Sequence, residues 1–208
     1  MRRLIFVLIS LTIAMILFKT LTTPKKHLPY FRPDERILAF GDSLTFGYGA
    51  ARSESYPDNL QRTLKRRVIN DGIPGELSEQ GLIRLRTSIS RYRPRLLLLC
   101  HGGNDILHNI DDRRLRYNLE QMIIYAHAHG VDVILIGVPK FSLLHLSEHP
   151  VYEELAKQYN LPIEGDILST ILHDNRYKSD YVHPNKAGYV IMAAAVEKVV
   201  REKYRFEE

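Results

Sequence analysis

The chain has little cysteine: one residue, Cys100, in 208, so no intrachain disulfide framework exists. Cys100 closes the run Leu96-Leu97-Leu98-Leu99, a buried-strand pattern, and reads as an inert core thiol rather than a nucleophile. Acidic residues are missing from the first 26 positions, which carry five basic residues. The remainder balances 24 basic against 24 acidic residues, so the formal charge of +5 belongs to this leader, and no nucleic-acid partner is expected. Two local basic clusters, Arg62/Lys65/Arg66/Arg67 and Arg91/Arg93/Arg95, alternate with acidic and apolar residues and read as a solvated face. Internal repeats and low-complexity tracts are absent, and no phosphate-cradling glycine loop follows the first strand, which argues against nucleotide binding. His145 and His149 lie four apart, but no carboxylate or cysteine completes a ligand set; they read as solvated loop histidines, and neither a metal nor a cofactor is expected.

The leader is the one long apolar stretch. Arg2-Arg3 precede Leu4–Phe18, interrupted only by Ser10 and Thr12, and Lys19 ends it. This is the charged-then-apolar pattern of an export signal. Fifteen residues fall short of the roughly 20 that a spanning helix needs. No Ala-x-Ala-like cleavage site follows, and no cysteine follows to carry a lipid. Residues 1–21 are therefore expected to be a signal peptide or N-terminal membrane anchor, 22–34 a polar, proline-containing linker, and 35–208 the functional domain. The expected location is periplasmic, or at the cytoplasmic membrane through the N-terminal segment.

Beyond the linker, strand and helix patterns alternate. Strands are expected at Arg36–Phe40, Val68-Ile69, Arg95–Cys100, Val131–Val138 and Leu161–Ile163. Helices are expected at Tyr56–Arg67, Ser78–Tyr92 with Ser78 as N-cap, Asp111–His129, Tyr152–Gln158 and Asn185–Tyr204, the last with Val190, Ala194 and Val196–Val199 on its apolar side. The strands are continuous Val/Ile/Leu runs, the mark of strands covered on both faces. An α/β fold with a parallel, doubly wound sheet follows, and such sheets bind ligands outside the carboxyl ends of their strands.

Three motifs fall at those ends. Gly41-Asp42-Ser43-Leu44 follows the first strand, Gly75 lies after the second, and Gly102-Gly103-Asn104-Asp105 follows the third. A fourth, Asp180-Tyr181-Val182-His183-Pro184, precedes the last helix. Ser43 offers a hydroxyl that needs a base, His183 is the natural base, and Asp180, three residues earlier, can orient its ring. The Ser43 N–H, the Gly75 N–H and the Asn104 amide can donate to a developing oxyanion. Each residue taken alone has an ordinary alternative as a helix cap or turn former; their ordered conjunction favours chemistry. Gly41-Asp42-Ser43-Leu44-Thr45 lacks the second glycine of the α/β-hydrolase elbow.

From about Ile37 to Tyr189, these motifs resemble the SGNH (GDSL) hydrolase family, of the bacterial thioesterase/arylesterase/lysophospholipase type. Gln80-Gly81-Leu82-Ile83-Arg84-Leu85 adds to the likeness. The resemblance implies a flavodoxin-like three-layer α/β/α sandwich with about five central strands. It also implies metal-independent hydrolysis of carboxylic esters, thioesters or lysophospholipids. Ser43, Asp180 and His183 would be the triad, and Ser43, Gly75 and Asn104 the oxyanion donors. Two positions depart from the pattern: His101, where close relatives carry an acidic or aliphatic residue, and the segment Phe141–His149. Because export is expected, carbohydrate O-deacetylation at the cell envelope is the alternative activity.

Overall fold

The computed structural model describes residues 28–140 and 147–207. The expected leader, residues 1–21, lies outside them. The strands are β1 (Arg36–Gly41), β2 (Arg67–Gly72), β3 (Leu96–Cys100), β4 (Asp132–Ile136), β5 (Pro139–Lys140), β6 (Ser147–Glu148) and β7 (Ile163–Glu164). Five of them form one parallel sheet in the order β2-β1-β3-β4-β7, while β5 and β6 pair antiparallel beside it. The flavodoxin-like order reverses direction at β1, so the crevice between the ends of β1 and β3 is the switch point. Ile37–Phe40 and Leu96–Cys100 are fully buried, as strands sandwiched between two helical layers must be.

The helices are α1 (Ser43–Phe46), α2 (Tyr56–Leu64), α3 (Ser78–Tyr92), α4 (Gly103–Leu107), α5 (Asp112–Ala128), α6 (Pro150–Tyr159), α7 (Ile167–His173) and α8 (Lys186–Lys203). Helix α2 packs with α8, and α7 with α8, on one face of the sheet; α3 packs with α5, and α5 with α6, on the other. Leu115, Leu119, Met122 and Ala126 of α5 are buried as their spacing predicts. Among the described residues, no helix is long and apolar enough to cross a membrane.

Several expectations are corrected. Helix α2 stops at Leu64, because Lys65 turns left-handed at φ 52°. The buried face of α8 is Tyr189, Met192, Ala193, Val196 and Val200, whereas Val190 is 48% exposed. Both stripes have helical spacing, but only the first carries the large Tyr189 and Met192 side chains into the core. Asn185 caps α8, as its expected start requires: its side chain accepts from the Gly188 N–H. Ser78 is the first helical residue of α3 and not its cap, because its hydroxyl is committed to Asp105. His149 is a buried cap of α6 rather than a solvated loop residue. The last part of the expected linker joins the body: Phe31 is fully buried, edge-on to Tyr204 at 5.2 Å and stacked on Phe206 at 5.5 Å.

Candidate active site

The crevice outside β1 and β3 collects the motif residues. Ser43 opens α1 two residues after β1 ends at Gly41. A side chain at Gly41 would place its Cβ 1.8 Å from the Cys100 carbonyl oxygen, so only glycine lets the two strands run this close. Asp42 caps α1, accepting from the Leu44 N–H at 3.1 Å, and its other oxygen accepts from the Gly103 N–H at 3.1 Å. One buried carboxylate thus ties the Ser43 turn to the Gly102–Asn104 turn. Burial raises the Asp42 carboxyl above its ordinary value, with the His101 ring and the two N–H donors pulling the other way.

Ser43 Oγ lies 3.0 Å from His183 Nε2. His183 Nδ1 lies 2.8 Å from Asp180 Oδ2 and 3.0 Å from Oδ1. With the proton on Nδ1 donated to the carboxylate, Nε2 is left to accept from the serine hydroxyl. Asp180 Oδ1 also accepts from the N–H groups of Val182 at 2.9 Å and His183 at 2.8 Å. Burial pushes the Asp180 carboxyl up, but these N–H groups and the imidazole outweigh it and hold it below its ordinary value. The loop is fastened by Ser179 N–H to the His183 carbonyl at 2.9 Å, and the Tyr48 ring sits 4.6 Å from the imidazole.

Gly75 occupies the third position of the turn Ile73-Pro74-Gly75-Glu76, with φ 79°. Proline followed by a left-handed glycine is the sequence signature of a type II turn. A Cβ added to Gly75 would meet nothing within 4 Å, so its surroundings are open. The N–H groups of Ser43 and Gly75 have no acceptor among the described residues. Asn104 Nδ2 donates to the Glu76 carbonyl at 3.0 Å, which fixes the amide and leaves its second hydrogen available. Ser43, Asn104 and His183 share a small cleft with Leu44, Leu107 and Val182, enclosing about 10 Å³. Gly75 does not line this cleft and borders the site through the Glu76 carbonyl.

The support beneath these residues is absent from the motif reading. Glu76 is 7% exposed and accepts from Arg84 Nη2 at 2.6 Å, while His101 Nε2 lies 3.0 Å from it. Burial pushes the Glu76 carboxyl up, but Arg84 and His101 outweigh it and hold it below its ordinary value of 4.5. Arg84 also pairs with Asp71 at 2.8 Å, donates to the Gly41 carbonyl at 3.2 Å and stacks 4.0 Å over Phe40. Asp105, buried, accepts from the Ser78 N–H at 2.8 Å and its hydroxyl at 2.6 Å, and Asn118 donates to the same hydroxyl at 2.9 Å. The sequence singles out four members without this role: Arg84 in the Gln80–Leu85 stretch, Asp105 in the Gly102–Asp105 motif, His101 as a departure from the family pattern and Ser78 as a helix cap. Cys100 is buried and its thiol is pushed well up by burial, so it is no nucleophile.

The sequence model of the GDSL-like Lipase/Acylhydrolase family matches residues 39–191, a span that holds Ser43, Gly75, Asn104, Asp180 and His183. The chain belongs to this family. This GDSL hydrolase is 29% identical over 159 residues to "Thioesterase 1/protease 1/lysophospholipase L1" of Escherichia coli (strain K12), across 73% of this chain and 76% of the relative. It is 26% identical over 160 residues to an arylesterase of Vibrio mimicus, across 72% and 80% of the two chains. Among solved structures it superposes on the crystal structure of TesA with a TM-score of 0.73 at 26% identity, covering 81% of this chain and 99% of that one. The GDSL hydrolase is thus similar to esterases and thioesterases in sequence and fold alike.

Proposed function

We propose that the protein hydrolyses carboxylic esters through Ser43, with His183 as general base and Asp180 as the carboxylate that orients it. The observation that carries this reading is the 3.0 Å contact between Ser43 Oγ and His183 Nε2, with Nδ1 held at 2.8 Å by Asp180. Ser43 Oγ attacks the acyl carbon as its proton passes to Nε2. The oxyanion is held by the N–H groups of Ser43 and Gly75 and by the Asn104 amide. When the tetrahedral adduct collapses, the C–O bond to the leaving alcohol breaks, and His183 returns the proton to that oxygen. Water repeats the sequence on the acyl-serine, so ester and water give acid and alcohol. Thioesters fit the same steps with a sulfur leaving group.

The enclosed space over Ser43, about 10 Å³, favours short acyl groups, since pockets for drug-sized ligands run to about 300 Å³ and above. The test is a series of p-nitrophenyl esters of rising acyl length, beside an acyl-CoA and a lysophospholipid. Turnover should be greatest for the shortest esters and absent in Ser43→Ala. Wild-type turnover by Ser43→Ala would overturn the catalytic assignment; a preference for long chains would overturn the size argument alone.

A further inference from the structure

The end of the sheet opposite the crevice carries a pole of basic charge, and the chain enters the fold there. In the sequence the clusters around residues 65–67 and 91–95 lie apart and read as a solvated face. The sheet register brings them together: Arg36 at the start of β1 pairs with Arg67 at the start of β2, and the Arg95 N–H donates to the Arg36 carbonyl at 2.9 Å. Arg36 Nη1 donates to the Tyr92 carbonyl, which draws in the end of α3 with Arg91 and Arg93. The C-terminal residues close the group. Arg205 bridges to Tyr30 and donates to the Leu28 carbonyl at 3.0 Å, while Arg66 and Arg201 flank the Phe206 ring at 5.6 and 5.4 Å.

Most carboxylates at this pole are engaged; Glu202 and Glu207 have no salt-bridge partner among the described residues, against five such cations. Asp132 pairs with Arg95 and Lys203, Glu197 with Arg201, and Asp34 and Glu35 with Arg32. Lys65, Arg67, Arg91, Arg93 and Arg205 are exposed and have no salt-bridge partner among the described residues. Leu28 lies at this pole, its carbonyl held by Arg205. Immediately upstream the sequence holds Lys25 and Lys26 and then the apolar run Leu4–Phe18.

We infer that this basic pole docks on an anionic phospholipid surface. Two independent features point there: unpaired cations gathered on one face, and an apolar, basic-flanked segment that joins the fold through that same face. Cations near an anionic leaflet gain about 1 kcal/mol each, roughly fivefold in affinity. Strand β1 then stands between the lipid and Ser43; its six residues span about 20 Å. The cleft opens away from the bilayer, toward water-borne esters. The inference needs no catalytic step, so it stands or falls apart from the esterase reading.

The test uses the full chain with a fluorophore on an introduced cysteine, since the only native thiol is buried. Ser90→Cys places the label beside Arg91 and Arg93; Asn175→Cys places it beside Asp180, at the other end. Vesicles of phosphatidylcholine with or without phosphatidylglycerol carry a lipid-borne quencher. The Ser90→Cys label should be quenched several-fold more with phosphatidylglycerol than without, and the Asn175→Cys label should be quenched in neither. High salt, or the triple change Arg67→Glu, Arg91→Glu and Arg93→Glu, should abolish the difference. Equal quenching in both lipids, preferential quenching of the Asn175→Cys label, or persistence in the triple variant would overturn the inference. So would protection of the Ser90→Cys label by duplex DNA with none by phosphatidylglycerol, which would assign the pole to nucleic acid.

Discussion

Replacing Asn104 with alanine separates a catalytic amide from a structural one. In the resting protein, Asn104 Nδ2 spends one hydrogen on the Glu76 carbonyl at 3.0 Å. Losing that bond costs about 0.5–1.5 kcal/mol. For a domain of this size, such a loss lowers Tm by about 2–5 °C, which leaves the fold intact at assay temperature. The second hydrogen is the one assigned to the oxyanion. Removing one such donor costs about 2.7–4 kcal/mol of transition-state stabilisation, or on the order of 10²–10³ in kcat. KM should change little, because the charge develops only in the transition state. Activity should survive above background, since the Ser43 and Gly75 N–H groups remain. Asn104→Asp should fall further, because a carboxylate faces both the oxyanion and the Glu76 carbonyl. The assay is steady-state kinetics on a short p-nitrophenyl ester beside a thermal melt of each variant. A Tm drop of the expected size with kcat within about threefold of the parent would refute the oxyanion role and leave Asn104 a turn residue.

Gly75→Ala should lose far more activity than stability. The methyl meets no protein atom, so stability falls only by the roughly 1–2 kcal/mol that a left-handed backbone costs an L-residue, while relaxing that strain turns the Gly75 N–H away from the oxyanion; kinetics and a melt on the same sample check the disparity. Glu76→Gln should destabilise the protein at neutral pH by about 3 kcal/mol, because it leaves Arg84 and His101 without their buried carboxylate. The sign with pH follows from the lowered Glu76 value. Its contribution is complete above the unfolded carboxyl value of 4.5 and is lost as pH falls through the folded one, so chemical denaturation at pH 7 and pH 3 should show the parent and variant converging in acid. Gly81→Ala would set a Cβ 2.3 Å from His101 Nε2 and should push the ring off Glu76, costing about 1–3 kcal/mol by equilibrium unfolding, with His101→Leu partly relieving the clash.

The residues that were legible in the sequence are those whose position is set locally. Ser43, Gly75 and Asn104 each follow a strand within a few residues, and Asp180 and His183 are three apart, so strand ends alone bring the set to one crevice. The supporting contacts were not legible because they join residues far apart: Asp42 to Gly103 over 61 positions, Ser78 to Asp105 over 27, Glu76 to His101 over 25. No local period encodes such a pairing, and Ser78 looked like a helix cap because its partner lies on another element. Helices α1, α4 and α7 have four to seven residues, too few turns for a 3.6-residue repeat to show. The sidedness of α8 was misread because it offers two apolar stripes, and only packing against α2 and α7 chooses between them. The sequence shows the basic clusters as a solvated face but not that they adjoin, because parallel pairing, not sequence, stacks the strand starts side by side.

The central claim is that Ser43 is a nucleophile activated by His183 and Asp180. The direct measurement is the mass of the intact protein, and of its peptides, after exposure to a fluorophosphonate ester. One adduct per chain is predicted, on the peptide bearing Ser43, with labelling slowed by orders of magnitude in His183→Ala. An unlabelled protein, or an adduct on any other residue, would contradict the account.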